Sequence, residues 1–234
     1  MTGVRRMLSR IKFRLLAPVR QRAYWNLMAL YDPVHAVCSE AEDERDLYES
    51  GTVQVSMMKD LGLLGRDKDA LHIGCGIGRI ELNIAGHVHF ALGIDVSERM
   101  VKIARRKVQA ENVGFALGSG RDLSPLRDHS FDLCYSFIAF QHMPRPVVAN
   151  YFQQVTKKLK PGGRLFFQIP IDETGSRREP PPDHPYGLRY YSSREVSRLL
   201  EQAGLRLLGR YDDKGERFSG SGDGSDAQYF LAGV

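Results

Sequence analysis

"ALHIGCGIGRIELNIAGHVHFALGID", residues 70–95, decides the fold. The apolar run "ALHIG" is closed by Gly74, Gly76 and Gly78, a helical pattern starts in "GRIELNIAG", and a second apolar run, "FALGID", ends on Asp95. Strand, glycine turn, helix and strand in that order form one βα unit of a parallel sheet. The alternation continues downstream. "SERMVKIARRKV" predicts a helix with Ser97 as N-cap and Met100, Ala104 and Val108 on one face. "VGFALG" is a third strand, and "FDLCYSFIAF" is a fourth, apolar enough to lie buried on both faces. A helix from about Pro146 carries Val148, Tyr151, Phe152, Val155 and Leu159 as its stripe and is expected to stop at Pro161; "GGRLFFQIP" is the fifth strand.

The regular pattern then lapses through "IDETGSRREPPPDHPYGLRYY", about 170–191, which is too long for a simple connector and is therefore a candidate substrate loop. It resumes at Ser192, whose spacing to Glu195 predicts a capping box. "LRLLGRY" and "AQYFLAGV" close the chain as strands, with the linker "DDKGERFSGSGDGSD" between them expected to be mobile. Residues 40–65 read as helical. No internal repeat is visible.

A glycine turn between strand and helix admits a ligand close to the backbone. The dinucleotide fingerprint, G-x-G-x-x-G or A, needs a third small residue where this chain has Arg79. Asp95 remains, about 20 residues on, where a carboxylate can accept both hydroxyls of a ribose. An adenosine ligand is thus expected, without a clear requirement for pyrophosphate.

Over residues 70 to about 210 the chain resembles the class I S-adenosylmethionine-dependent methyltransferases. "LHIGCGIGR", "GIDVSERM", "FDLCYSFIAFQHM" and "LKPGGRLFF" match their motifs in order, and Pro161-Gly162-Gly163 before the fifth strand has no counterpart in the dinucleotide pattern. The resemblance implies a Rossmann-like, doubly wound α/β sheet of seven mostly parallel strands, the last antiparallel. It also implies S-adenosylmethionine as cofactor, with S-adenosylhomocysteine as product. Carried over by position, Gly74, Cys75, Gly76 and Gly78 would pass the methionine part and Asp95 would hold the ribose. Val96 and Met100 would border the adenine. Ser119 stands where the family usually has an acid for the adenine amino group, with Gly120 and Arg121 beside the ring, and Phe137 would face the meeting place of donor and acceptor. His72 replaces the acid that usually stands two residues before the first glycine, which leaves open a variant cofactor or binding without turnover.

Alignment of an acceptor beside a sulfonium needs little more than orientation and one base. His142, just past the fourth strand, is the candidate base for an acceptor oxygen, so O-methylation of a small molecule is the expected activity. Tyr24, Gln141, Tyr186, Arg189 and Tyr190 are candidate substrate contacts, alongside Trp25 and Tyr31. The alternatives are a non-catalytic methyltransferase-like binding protein and a nicotinamide-dependent oxidoreductase. The Asp or Asn, two prolines and an aromatic of the amino-group methylases is absent where "FIAF" stands, which argues against modification of DNA bases or glutamine.

The bulk properties fit a single α/β domain, residues 40–234, behind a basic arm, residues 1–39. The net charge of +5 is uneven, with +7 on residues 1–31 and −2 on the rest. Val4, Met7, Leu8, Ile11 and Leu15 recur at helical spacing in the arm, a pattern that suits either an anionic membrane surface or, more simply, packing on the domain. The basic residues do not extend into a wider patch, so no nucleic-acid partner is expected. Cys38, Cys75 and Cys134 support neither a disulfide framework nor a metal site. No apolar run is long enough to span a bilayer, and a cytoplasmic location is expected.

Overall fold

The computed structural model describes residues 21–178, 180, 181, 184, 187–217 and 227–234. The basic amphipathic segment around residues 4–15 lies outside them, as do Tyr186 and most of the linker expected to be mobile. Helix α1 is described over 21–31, followed by α2 (Pro33–Val37) and α3 (Glu44–Asp60). Strands and helices then alternate: β1 (Gly65–Ile73), α4 (Glu81–Ile84), β2 (Val88–Asp95), α5 (Glu98–Lys107), β3 (Val113–Leu117) and β4 (Phe131–Ser136). The chain continues through α6 (Arg145–Lys158), β5 (Leu159–Pro170), α7 (Ser193–Gln202), β6 (Arg206–Tyr211) and β7 (Ala227–Gly233).

The seven strands form one sheet in the order β3-β2-β1-β4-β5-β7-β6, with β7 antiparallel to both its neighbours and the other pairings parallel. This is the doubly wound sheet with an antiparallel last strand that the sequence led us to expect. From β1 the chain winds outward through β2 and β3, then returns to β4 on the other side. The carboxyl ends of β1 and β4 therefore border the crevice where such sheets bind ligands.

Because side chains alternate across a strand, β1 buries Leu71 and Ile73 toward α6 and α7, and Ala70 toward α3 and α4. Cys134 and Leu133 of β4 divide in the same way. Both faces are covered, which is why these strands read as continuous apolar runs. Val148, Tyr151, Phe152 and Val155 are the buried stripe of α6, as their spacing requires.

Three boundaries differ from the sequence expectation. The segment after the glycine turn is helical for one turn only, passing at Ala85 into a 3-10 turn. Strand β4 ends at Ser136, because Ile138 takes a φ of 61° and turns the chain away. Helix α6 ends at Lys158, three residues before Pro161, and Leu159 already pairs with Phe131 as the start of β5. "KPGG" is thus an irregularity within β5, between the Phe131 and Leu133 pairings, with Gly162 at φ 78°.

The capping box at α7 forms as expected: Ser192 accepts from the Glu195 amide and Glu195 from the Ser192 amide. Ser192→Ala is expected to cost about 1 kcal/mol, a fall of roughly 2–4 °C in melting temperature for a chain of this length. A thermal melt followed by circular dichroism checks this, and an unchanged midpoint would show the cap to be dispensable. Among the described residues no helix is long and apolar enough to cross a membrane.

Candidate functional site

A cleft with about 1040 Å³ of open space lies at the carboxyl ends of β1, β2 and β4. Its floor is the glycine turn. Gly74 has a φ of 81°, and a Cβ there would stand 2.4 Å from the Ala139 Cβ, so no side chain fits at this position. Four amides of the turn are already engaged within the protein. Gly74 and Cys75 both donate to the Ile94 carbonyl at 2.8 and 3.0 Å, and Gly78 donates to Cys75. Gly76 donates to Asp95 Oδ2 at 2.9 Å. Amides used in this way cannot neutralise a pyrophosphate, and the single-turn α4 adds little macrodipole. The turn therefore offers close approach rather than an anion cradle.

Asp95, at the end of β2, accepts from Gly76 on one oxygen and from the Ser97 amide, at 2.8 Å, on the other. Burial pushes its carboxyl above the usual range, against the Ser97 and Gly76 amides that pull it down. The carboxylate thus ties the glycine turn to the start of α5 and still borders the cleft. Val96, Met100 and Gly120 line it too, as do Gly74, Cys75 and Gly76. On the far side stand Phe137, packed among His72, Tyr135, Phe166 and Tyr229, and His142, which is 7% exposed.

Several candidates stand elsewhere. Gly78 is not part of the lining; a Cβ there would meet Val108 at 2.9 Å and Phe115 at 3.2 Å, so this glycine lets the turn pack on α5 and β3. The Ser119 hydroxyl is engaged by the amides of Arg121 and Asp122, both at 3.0 Å, in its own turn, and Arg121 is exposed. Neither lines the cleft. Gln141 gives its carbonyl to the Arg189 amide. Arg189 is 1% exposed and donates to the carbonyls of His142, Gly187, Pro181 and His184, so it pins the long loop instead of facing an acceptor. Tyr190 has the Arg177 guanidinium over its ring. Among the aromatic residues of α1, Trp25 lines the cleft and Tyr24 stands edge-on behind it.

Gln21 and Arg79, which the sequence did not single out as site residues, complete the walls. Gln21 and Trp25, one helical turn apart, are joined by a 2.6 Å bond from the indole N–H, and the Gln21 amide donates to the His142 carbonyl at 2.8 Å. Their i, i+4 spacing was the available signal, since it continues to buried Ala29. Asn26 Oδ1 accepts from the Ser97 hydroxyl and the Arg99 amide, fixing α1 to the start of α5. The described part of the arm is thus a wall of the site. Arg79, read from sequence only as a missing glycine, lines the cleft with its Nη1 held by Ser50 and Gln54.

Residues 71–167 match the family model described as a methyltransferase domain. Over that segment the chain is similar to methyltransferases. A ubiquinone biosynthesis O-methyltransferase of Thiobacillus denitrificans is 31% identical over 102 residues, 43% of this chain and 43% of the relative. One of Coxiella burnetii is 26% identical over 157 residues, 61% of this chain and 65% of the relative, so the chain spans less than two thirds of either. The fold is shared with the DhpI–SAH complex, at a TM-score of 0.66 and 16% identity, over 92% of this chain and 95% of that one. These matches are to methyltransferases, one of them in complex with SAH, and not to dinucleotide-dependent oxidoreductases.

Proposed function

We propose that the protein transfers a methyl group from S-adenosylmethionine to a hydroxyl oxygen of a small, ring-bearing acceptor. The observation that carries this reading is the presence of His142 in the same cleft as Asp95 and the glycine turn. The names of the relatives, ubiquinone biosynthesis O-methyltransferases, support an oxygen acceptor. The residues present suit the cofactor: Asp95 for the ribose, Gly74 and Gly76 for close approach of the chain, and Val96 and Met100 as apolar neighbours of the base. The bound cofactor supplies a methyl group already activated on a sulfonium.

The remaining task falls to the protein's own side chains. Trp25, Phe137, Met143 and Tyr151 give the cleft an apolar, aromatic wall against which a ring can lie. His142 is held from two sides through its carbonyl, by Gln21 and Arg189, and its ring lies 5.5 Å from that of Trp25. From there it takes the hydroxyl proton as the oxygen becomes the nucleophile.

The test is calorimetric titration with S-adenosylmethionine and S-adenosylhomocysteine, followed by a methyl-transfer screen over hydroxylated aromatic acceptors. In His142→Ala, turnover is expected to fall by roughly 10²- to 10³-fold, within the range of general-base contributions. S-adenosylhomocysteine affinity should change less than about threefold, because the proton transfer is not part of cofactor binding. Tight binding with no turnover on any acceptor would instead mark a non-catalytic member of the family.

A further inference from the structure

Alternation along β1 points His72 to the same side as Ala70, toward the layer that contains α4, and there it meets Glu81. The two side chains are almost fully buried, with His72 Nδ1 2.6 Å from Glu81 Oε1. Tyr135 stacks on the imidazole at 4.4 Å and 20°, and its hydroxyl donates to the same Glu81 oxygen at 3.2 Å. A carboxylate only accepts, so it places the imidazole proton on Nδ1 and leaves Nε2 as a lone pair. That Nε2 is buried without a hydrogen-bond partner, and so is Glu81 Oε2. His72 itself lines the cleft, two residues before Gly74. A buried acceptor left open at a ligand cleft calls for a donor that arrives with the ligand.

Building on the cofactor assignment above, we propose that His72, oriented by Glu81, receives the ammonium group of the cofactor's amino-acid end through Nε2. The pair thereby replaces the acid that the family usually carries at position 72. The negative charge is still there but stands one ring further back. A carboxylate behind an imidazole holds the proton on the near nitrogen and leaves the far one as an acceptor, the same relay that orients metal-binding histidines, and an ammonium takes the place of the metal. The other charged groups around the ring suit a zwitterion. Asp95 acts on His72 from the end of β2. Arg79, on the cleft wall, has no carboxylate within ion-pair distance among the described residues and complements the ligand's own carboxylate.

The experiment compares two ligands that differ at this end. S-adenosylhomocysteine carries the amino acid, and 5′-methylthioadenosine lacks it. Both are titrated calorimetrically into the wild type, His72→Asn, His72→Gln and Glu81→Gln, each checked by thermal melting. Asparagine keeps a nitrogen near Nδ1 for the Glu81 bond and removes Nε2, whereas glutamine returns a polar atom near the Nε2 position. His72→Asn is expected to weaken S-adenosylhomocysteine at least tenfold and 5′-methylthioadenosine less than twofold, and His72→Gln to recover part of the loss. Glu81→Gln should give a smaller loss with the same selectivity, and it keeps the question answerable if the His72→Asn protein does not fold. Equal weakening of both ligands would reduce His72 to a packing residue, and no change with either would remove it from the site; each overturns the proposal. Failure of the wild type to bind either ligand would overturn the cofactor assignment and this inference together.

Discussion

Asp95→Ala is expected to weaken S-adenosylhomocysteine binding by about a hundredfold or more. Hydrogen bonds to a charged group contribute roughly 1.5–3 kcal/mol each, and a carboxylate serving two ribose hydroxyls therefore accounts for about two decades of affinity or more. The structure adds a second source of loss. The same oxygens hold the amides of Gly76 and Ser97, so the alanine also releases the glycine turn from the start of α5. Asp95→Asn keeps one accepting oxygen and should fall between the two. The pH dependence has a definite sign. The proposed ribose contact uses the carboxylate, and burial raises the pKa of Asp95. Affinity should therefore be complete above that raised value and decline as the pH falls through it, beginning at a higher pH than an ordinary aspartate would give. Titrations at descending pH measure this, and affinity that stays flat down to the ordinary aspartate range would contradict it.

What the sequence made legible was local or periodic. The glycine turn, the Asp95 position and the α7 capping box each rest on short motifs, and the mostly parallel sheet with its antiparallel last strand followed from the family resemblance. What it hid depended on distance or on helix phase. His72 was legible as a missing charge, but its partner arrives from α4 through the side-to-side alternation of β1, which a motif comparison does not register. Tyr24 and Trp25 are adjacent and similar in chemistry, and only the packing of α1 decides which one enters the cleft. Ser119 was assigned by its place in the motif and Arg189 by its type and its place in the long loop. A serine in a tight turn readily bonds the following amides, and a guanidinium surrounded by loop carbonyls is a fastener before it is a binding group.

That assignment of Arg189 leads to the second large effect, expected in Arg189→Met. The guanidinium is buried and serves the carbonyls of His142, Gly187, Pro181 and His184, at 3.0 to 3.3 Å. Methionine preserves much of the apolar stem and no donor, so these carbonyls lose a partner, the His142 carbonyl in a buried bond and the other three in part-buried ones. Each lost bond contributes roughly 0.5–1.5 kcal/mol, and the His142 carbonyl keeps its bond from Gln21. A net loss of about 2–6 kcal/mol is expected from four bonds at roughly 0.5–1.5 kcal/mol each, and it corresponds to a fall of roughly 4–24 °C in melting temperature. The loop between β5 and α7 and the turn carrying His142 should loosen together, because Arg189 is the link between them. In a variant that remains folded at the assay temperature, turnover should therefore fall more than cofactor affinity. Had Arg189 been a direct acceptor contact, its removal would raise KM and leave the melting temperature where it was. A thermal melt combined with steady-state kinetics separates the two roles, and an unchanged midpoint would return Arg189 to the acceptor pocket.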